Sequence, residues 1–263
     1  DLLKDLNKKT RKKDFTILDL GDHTQETSFD ENYRNKSRLN DRNYMVCNSI
    51  NKVDKKIQKI TLNQIAYLSH KYSNITNQFL KDQQVKLRSY KINDINIRTQ
   101  KKYPNYTTMA CWSKSTNQIC LNQRRMQNFD DMVNSVKYSQ STGHFMQTDL
   151  DSQDKYIITH EFGHFIEDCL IQKNLQRSDY SQEERTTEAL TITEKICKIA
   201  VDKFKATDSD LRKMSRYGYT DAYEWFSELF TKSVLSSDKT PLSMAMNEYL
   251  KKENIDASNS AKL

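Results

Sequence analysis

Apolar residues along this chain recur first at helical spacing, then in short extended runs, then again at helical spacing to the end. Ile50, Val53, Ile57, Ile60, Ile65 and Leu68 predict a helix between Ile50 and Tyr72, with a break near Thr61. Short β-like runs follow at Val85-Lys86-Leu87, Ile95-Asn96-Ile97, Thr107 to Trp112 and Gln118 to Leu121. The last two flank Ser113-Lys114-Ser115-Thr116-Asn117, which reads as a hairpin loop. Residues 127–138 predict a helix, and 139–153 a polar loop holding Gly143 and His144. Everything beyond is helical in pattern: 154–172, then 182–204 with Leu190, Ile192, Ile196, Ile199 and Phe204 on its apolar side, then 208–216, 221–236 and 243–252. Strands followed by helices predict an α+β fold. Residues 1–45, polar and irregular around the run Lys8-Lys9-Thr10-Arg11-Lys12-Lys13, read as a basic extension or linker. Residues 46–263 read as one domain, with a helix-and-sheet subdomain over 46–153 and a helical subdomain over 154–263.

Composition narrows the function classes. The 263 residues include only four glycines (Gly21, Gly143, Gly163, Gly218) and two prolines (Pro104, Pro241), so neither a GxGxxG dinucleotide turn nor a GxxxxGK phosphate cradle can be written. A turn-rich all-β fold is disfavoured for the same reason. The mean hydropathy of −0.89 is polar, but 14 Tyr, 10 Phe and 2 Trp supply enough large apolar side chains for a core. No run approaches the roughly eighteen apolar residues of a membrane span. Cys47, Cys111, Cys120, Cys169 and Cys197 form no CxxC pair and read as buried thiols, with Cys111 and Cys120 placed to face each other across the hairpin. The chain starts at Asp1 rather than Met, and is read as part of a longer protein.

The net charge of +7 is uneven: residues 61–130 carry 11 basic and 3 acidic side chains, whereas 131–263 carry 17 and 22. Such a half is either an ordinary solvated surface or a face for an acidic partner, such as nucleic acid or a virion surface. No nucleic-acid motif accompanies it.

The chemistry is concentrated in Tyr156-Ile157-Ile158-Thr159-His160-Glu161-Phe162-Gly163-His164-Phe165-Ile166. His160-Glu161-x-x-His164 is an HExxH pattern: histidines four apart share a helix face and can bind one cation, with Glu161 beside them as a base for a metal-activated water. Zinc suits two neutral imidazoles and a carboxylate. The flanking Ile157, Ile158, Phe162, Phe165 and Ile166 mark a buried helix. Gly163 costs about 1 kcal/mol against Ala inside a helix, so another backbone element is expected to approach closely there.

No histidine follows His164, so the third ligand must be a carboxylate. Glu224 and Glu228, four apart on an aromatic helix with Trp225, Phe226, Leu229 and Phe230, are the first choice, Glu224 as ligand and Glu228 as the partner of a ligand histidine. Glu183, Glu184, Glu188 and Glu194 compete, with Glu188 the runner-up.

Taken together, His160-Glu161-Phe162-Gly163-His164, Tyr217-Gly218 and Glu224-Trp225-Phe226-Ser227-Glu228 resemble the anthrax lethal factor-like zinc metallopeptidase domain, over roughly residues 85–250. The resemblance implies a zincin-like α+β fold, with a small twisted sheet and an active-site helix followed by a mainly helical subdomain. It implies zinc held by His160, His164 and Glu224, Glu161 as general base, Tyr217 as donor to the oxyanion, and Glu228 behind the ligands. Trp225 and Ser227 stand where the family has Phe and Ala. Within the family, the stretch Ser215 to Ser243 and the loop before Ile157 are most similar to domains of minor capsid proteins of Gram-positive phages and mobile elements.

The expected activity is zinc-dependent endopeptidase cleavage of a protein or peptide, by a secreted or virion-associated chain. The alternative is a structural virion protein whose zinc domain is catalytically idle. The strand Gln118-Ile119-Cys120-Leu121 is the expected edge for an extended substrate, and His144 a residue that could line the cleft.

Overall fold

The computed structural model describes residues 45–47, 50, 52–79, 85–90, 108–114 and 117–260. Residues 1–44 of the expected linker, the run Ile95-Asn96-Ile97, and residues 80–84, 91–107 and 115–116 of the basic 61–130 stretch lie outside them.

Four short strands form a mixed sheet: β1 (Met45–Cys47), β2 (Val85–Tyr90), β3 (Ala110–Ser113) and β4 (Gln118–Asn122). Their order is β1-β2-β4-β3, with β1 and β4 parallel to β2 and β3 antiparallel to β4. This order corrects one expectation. Gln118, Ile119 and Cys120 lie on β4, which is paired on both sides and buried, so they offer no free edge. The outer strands are β1 and β3, and the one beside β4 is β3, which pairs only with β4 among the described residues. Cys111 and Cys120 are register partners, but no disulfide joins them.

Helix α1 (Lys55–Lys71) starts where Asp54 accepts hydrogen bonds from the backbone N–H of Lys56 and Ile57, at 2.7 and 3.3 Å. Ile50 and Val53 are buried ahead of it rather than within it, and the helix runs through Thr61 without a break. After α2 (Ser73–Phe79), α3 (Phe129–Ser141) is capped by Asn128. The loop after it is shorter than expected, because a 3₁₀ turn at Leu150–Lys155 feeds directly into α4 (Tyr156–Leu175).

Helix α4 is the centre of the molecule. Tyr156, Phe162, Phe165 and Ile166 are fully buried, and all but His164 of residues 156–171 are shielded from solvent. Each such apolar side chain contributes about 1.5–3 kcal/mol of burial. A helix covered on every face must be wrapped by other elements, and α1, α2, β3, α5 (Gln182–Phe204) and α7 (Ala222–Leu235) do so. Between α5 and α7 the helical pattern over 208–216 survives only as α6 (Asp208–Leu211). The N–H groups of Arg216 and Tyr217 donate instead to the carbonyls of Gly143 and His144, at 2.9 and 3.0 Å, which draws the chain out of a helix. The last helix, α8 (Pro241–Ser260), opens with proline at its first position, where no N–H is needed. One hydrophobic core runs from Ile50 to Leu250, and no helix among the described residues is long and apolar enough to cross a membrane.

Candidate metal centre

Helix α4 carries His160 and His164 one turn apart, their rings 4.9 Å apart and nearly perpendicular. Helix α7 supplies the acid. Asp221 caps it, accepting from the N–H groups of Tyr223 and Glu224 at 3.0 Å each, which sets Glu224 in the first turn facing α4. The two helices meet closely because residue 163 is glycine: a Cβ there would stand 3.1 Å from Ser227 Cα and 3.2 Å from Phe230 Cδ1. The backbone approach expected from Gly163 is that of α7.

The result is a convergence of donor atoms. Glu224 Oε2 lies 3.1 Å from His160 Nε2 and 3.3 Å from His164 Nε2, and the three potential ligand atoms sit within 4.8 Å of one another. Two imidazole nitrogens and one carboxylate oxygen form a donor set able to hold a metal ion. Glu188, the runner-up, is elsewhere: it accepts from Asn174 Nδ2 at 3.1 Å on a partly exposed surface. Glu184 caps α5 with Ser181, and Glu183 and Glu194 are exposed.

Charge explains how the group is held together. Burial alone would pull the pKa of His160 down, but the Glu224 and Glu228 carboxylates hold it well above its ordinary value. Burial likewise opposes ionisation of Glu224, yet His164 and His160 keep its pKa well below the usual carboxylate range. A proton on His160 Nε2 would lie between the ring and Glu224 Oε2, where the donor atoms converge.

Behind the ligands, Glu228 is fully buried on α7. It accepts from Ser215 Oγ at 2.6 Å, Tyr156 Oη at 2.8 Å and the Met146 N–H at 2.8 Å. Its Oε1 also lies 3.1 Å from His160 Nδ1, an ion-pair contact rather than an aligned hydrogen bond. When the ring is neutral, a carboxylate on this side keeps the remaining proton on Nδ1 and turns the Nε2 lone pair toward the centre. The sequence pattern offered Glu228 as the partner of a ligand histidine without saying which; the contact is to His160, and the other partners were not foreseen. Tyr156 was visible in principle, one helical turn before His160; Ser215 and Met146 gave no signal.

Glu161 is 7% exposed, and its pKa is raised, first by burial. The neighbouring histidines and the backbone amide of Trp112 oppose that shift. The amide's direction follows from the sheet. Met109 and Asn122 are hydrogen-bonded, so the alternation of an antiparallel ladder turns the polar groups of Ala110 and Trp112 away from β4. The edge of β3 that is unpaired among the described residues thus passes beside Glu161.

Tyr217 donates its hydroxyl to Glu224 Oε1 at 2.9 Å, with its ring 5.7 Å from that of His160. Burial and the nearby Glu224 and Glu161 push its pKa well above the ordinary value, so the hydroxyl keeps its proton. Exposed His144 packs against it, ring centroids 5.3 Å apart, and so lies at the rim. Comparison of the chain with protein-family models, with curated proteins and with solved structures gave no match.

Proposed function

We propose that this chain is a zinc-dependent endopeptidase with the zincin-like fold of the lethal factor-like metallopeptidases. The observation that carries the reading is the meeting of His160, His164 and Glu224 in one donor set, with buried Glu161 on the same helix turn and the Tyr217 hydroxyl on the other side of Glu224. Zinc held by the three ligands would supply Lewis-acid polarisation of the scissile carbonyl and acidify a water molecule.

The chain's own groups do the rest. Glu161 removes the proton from the attacking water and returns it to the leaving amine, a task suited to a carboxylate whose proton affinity burial has raised. Tyr217, kept protonated, donates to the carbonyl oxygen as negative charge grows on it. Glu228 keeps His160 oriented. The open edge of β3 receives an extended peptide by strand pairing.

The test pairs metal analysis with digestion of a peptide mixture by the wild-type chain and by Glu161→Gln. Both proteins should bind one zinc per chain, and the variant should lose cleavage by about 10²–10⁴-fold. Zinc binding with no Glu161-dependent cleavage would overturn the proposal.

A further inference from the structure

Next to the metal centre lies a second polar cluster that the proposed chemistry does not use. Asp168, fully buried on α4, accepts from Trp112 Nε1 at 2.5 Å, Arg185 Nε at 3.1 Å and Tyr180 Oη at 3.4 Å. Arg185 is committed: its guanidinium holds Asp168 and stacks on the Tyr223 ring at 4.3 Å. Lys114 is not. Its ammonium sits 3.1 Å above the Tyr180 ring, and no salt bridge to it occurs among the described residues. Of the charges facing it, Asp168 attracts and Arg185 repels. Glu167, fully buried nearby, has both carboxyl oxygens without hydrogen bonds, and burial drives it toward the neutral acid. Around Lys114, one carboxylate, that of Asp168, therefore faces two cations, Arg185 and Lys114 itself.

Position gives this surplus its meaning. Side chains two apart on a strand share a face, and Lys114 continues the face of Trp112 just past the end of β3. Trp112 points toward α4, where its indole packs 5.1 Å from Phe165. Its backbone amide is the one beside Glu161. Lys114 is thus about 7 Å further along the same edge, at two residues of about 3.4 Å each. A peptide paired with β3 and centred on Glu161 would bring a side chain to this ammonium.

Resting on the peptidase reading above, we infer that Lys114 selects substrates that carry a carboxylate within two residues of the bond cleaved. An ammonium has three donors, and an aromatic face satisfies none of them as a hydrogen bond. Half-burial has stripped part of its water, which pulls its pKa down to about 8. An incoming carboxylate restores both the charge partner and the lost hydrogen bonds, a charge-assisted contact.

The experiment uses the zinc-loaded chain and matched peptides that differ only by Glu or Gln at each of the two positions on either side of the cleaved bond. At one of these positions wild type should favour Glu over Gln by about tenfold in kcat/KM. Lys114→Ala should bring the Glu-to-Gln ratio near unity, and Lys114→Arg should restore the preference. Lys114→Glu should favour Lys peptides over Glu peptides, a gain that misfolding cannot produce. Repeating the series with amidated C-termini identifies the source of the carboxylate: a side-chain carboxylate leaves the ratio intact, and a terminal one abolishes cleavage. Glu161-dependent cleavage with equal rates on Glu and Gln peptides at every position and no effect of amidation overturns this inference alone. Absence of Glu161-dependent cleavage removes the peptidase reading and this inference with it.

Discussion

The Tyr217 hydroxyl donates to Glu224 Oε1 at 2.9 Å, while the other oxygen of the same carboxylate faces both histidines. Glu224 thus links the candidate oxyanion donor to the two candidate ligand histidines. Tyr217→Phe removes the donor and leaves the ring packing intact. We expect kcat/KM on a cleaved peptide to fall by about 10²-fold, the usual loss for one oxyanion donor, with zinc content unchanged. A loss of zinc affinity at unchanged turnover of the loaded enzyme would instead make Tyr217 a support for Glu224.

Glu228 gathers three donors and lies against His160 Nδ1. Glu228→Gln keeps its shape but sets an amide among donors and removes the charge that fixes the imidazole. Zinc affinity, measured by competition with a chelator, should weaken by about 10–100-fold. Unchanged affinity would mean that His160 is oriented by packing alone.

Gly163→Ala sets two opposed effects against each other. Alanine favours a free helix by about 1 kcal/mol. Here its methyl would come 3.1 Å from the Ser227 backbone and 3.2 Å from Phe230, and overpacking of this kind costs about 1–3 kcal/mol. Because a backbone atom cannot swing aside, urea denaturation should show a net loss of about 1 kcal/mol. A stabilised variant would show that α4 and α7 separate freely.

The titration of the centre has a definite sign. In the metal-free chain, the pKa of His160 is raised above its ordinary 6.5 and that of Glu224 lowered below its ordinary 4.5. The His160 contribution to stability is full below pH 6.5 and is lost as pH rises through its raised folded value. The Glu224 contribution is full above pH 4.5 and is lost as pH falls through its depressed folded value. Thermal unfolding of the metal-free chain should thus show this pair contributing most between pH 4.5 and 6.5. Zinc must displace the His160 proton, so binding near neutral pH should release protons, seen as a buffer-dependent heat in calorimetry. Heats equal across buffers of different ionisation enthalpy would contradict this arrangement.

The division between sequence and structure can be read at particular residues. HExxH on a helix is a local statement: spacing alone puts His160 and His164 on one face, and the apolar flanks alone mark α4 as buried. The Glu224 and Glu228 pair was legible for the same reason, and the cost of Gly163 foretold a close neighbour without naming it. The aromatic setting of Glu224 favoured it over Glu188, but local pattern alone could not exclude Glu188, since both sit on helices after His164. The choice follows from α7, rather than α5, presenting its first turn to the histidines. The sheet misled in an instructive way: the hairpin was visible, but which of its strands stays outermost depends on β2 pairing with β4, and alternation within a strand says nothing about its neighbours.

By itself, then, the sequence determined the elements whose causes act within a few residues: helical periodicity, the hairpin, and the shared face of His160 and His164 on α4. Tertiary structure decided the edge strand, the three donors that hold Glu228, and the Asp168 cluster beside Lys114. Those arrangements join residues far apart in the chain, and only the burial of shared apolar surface between elements brings them together.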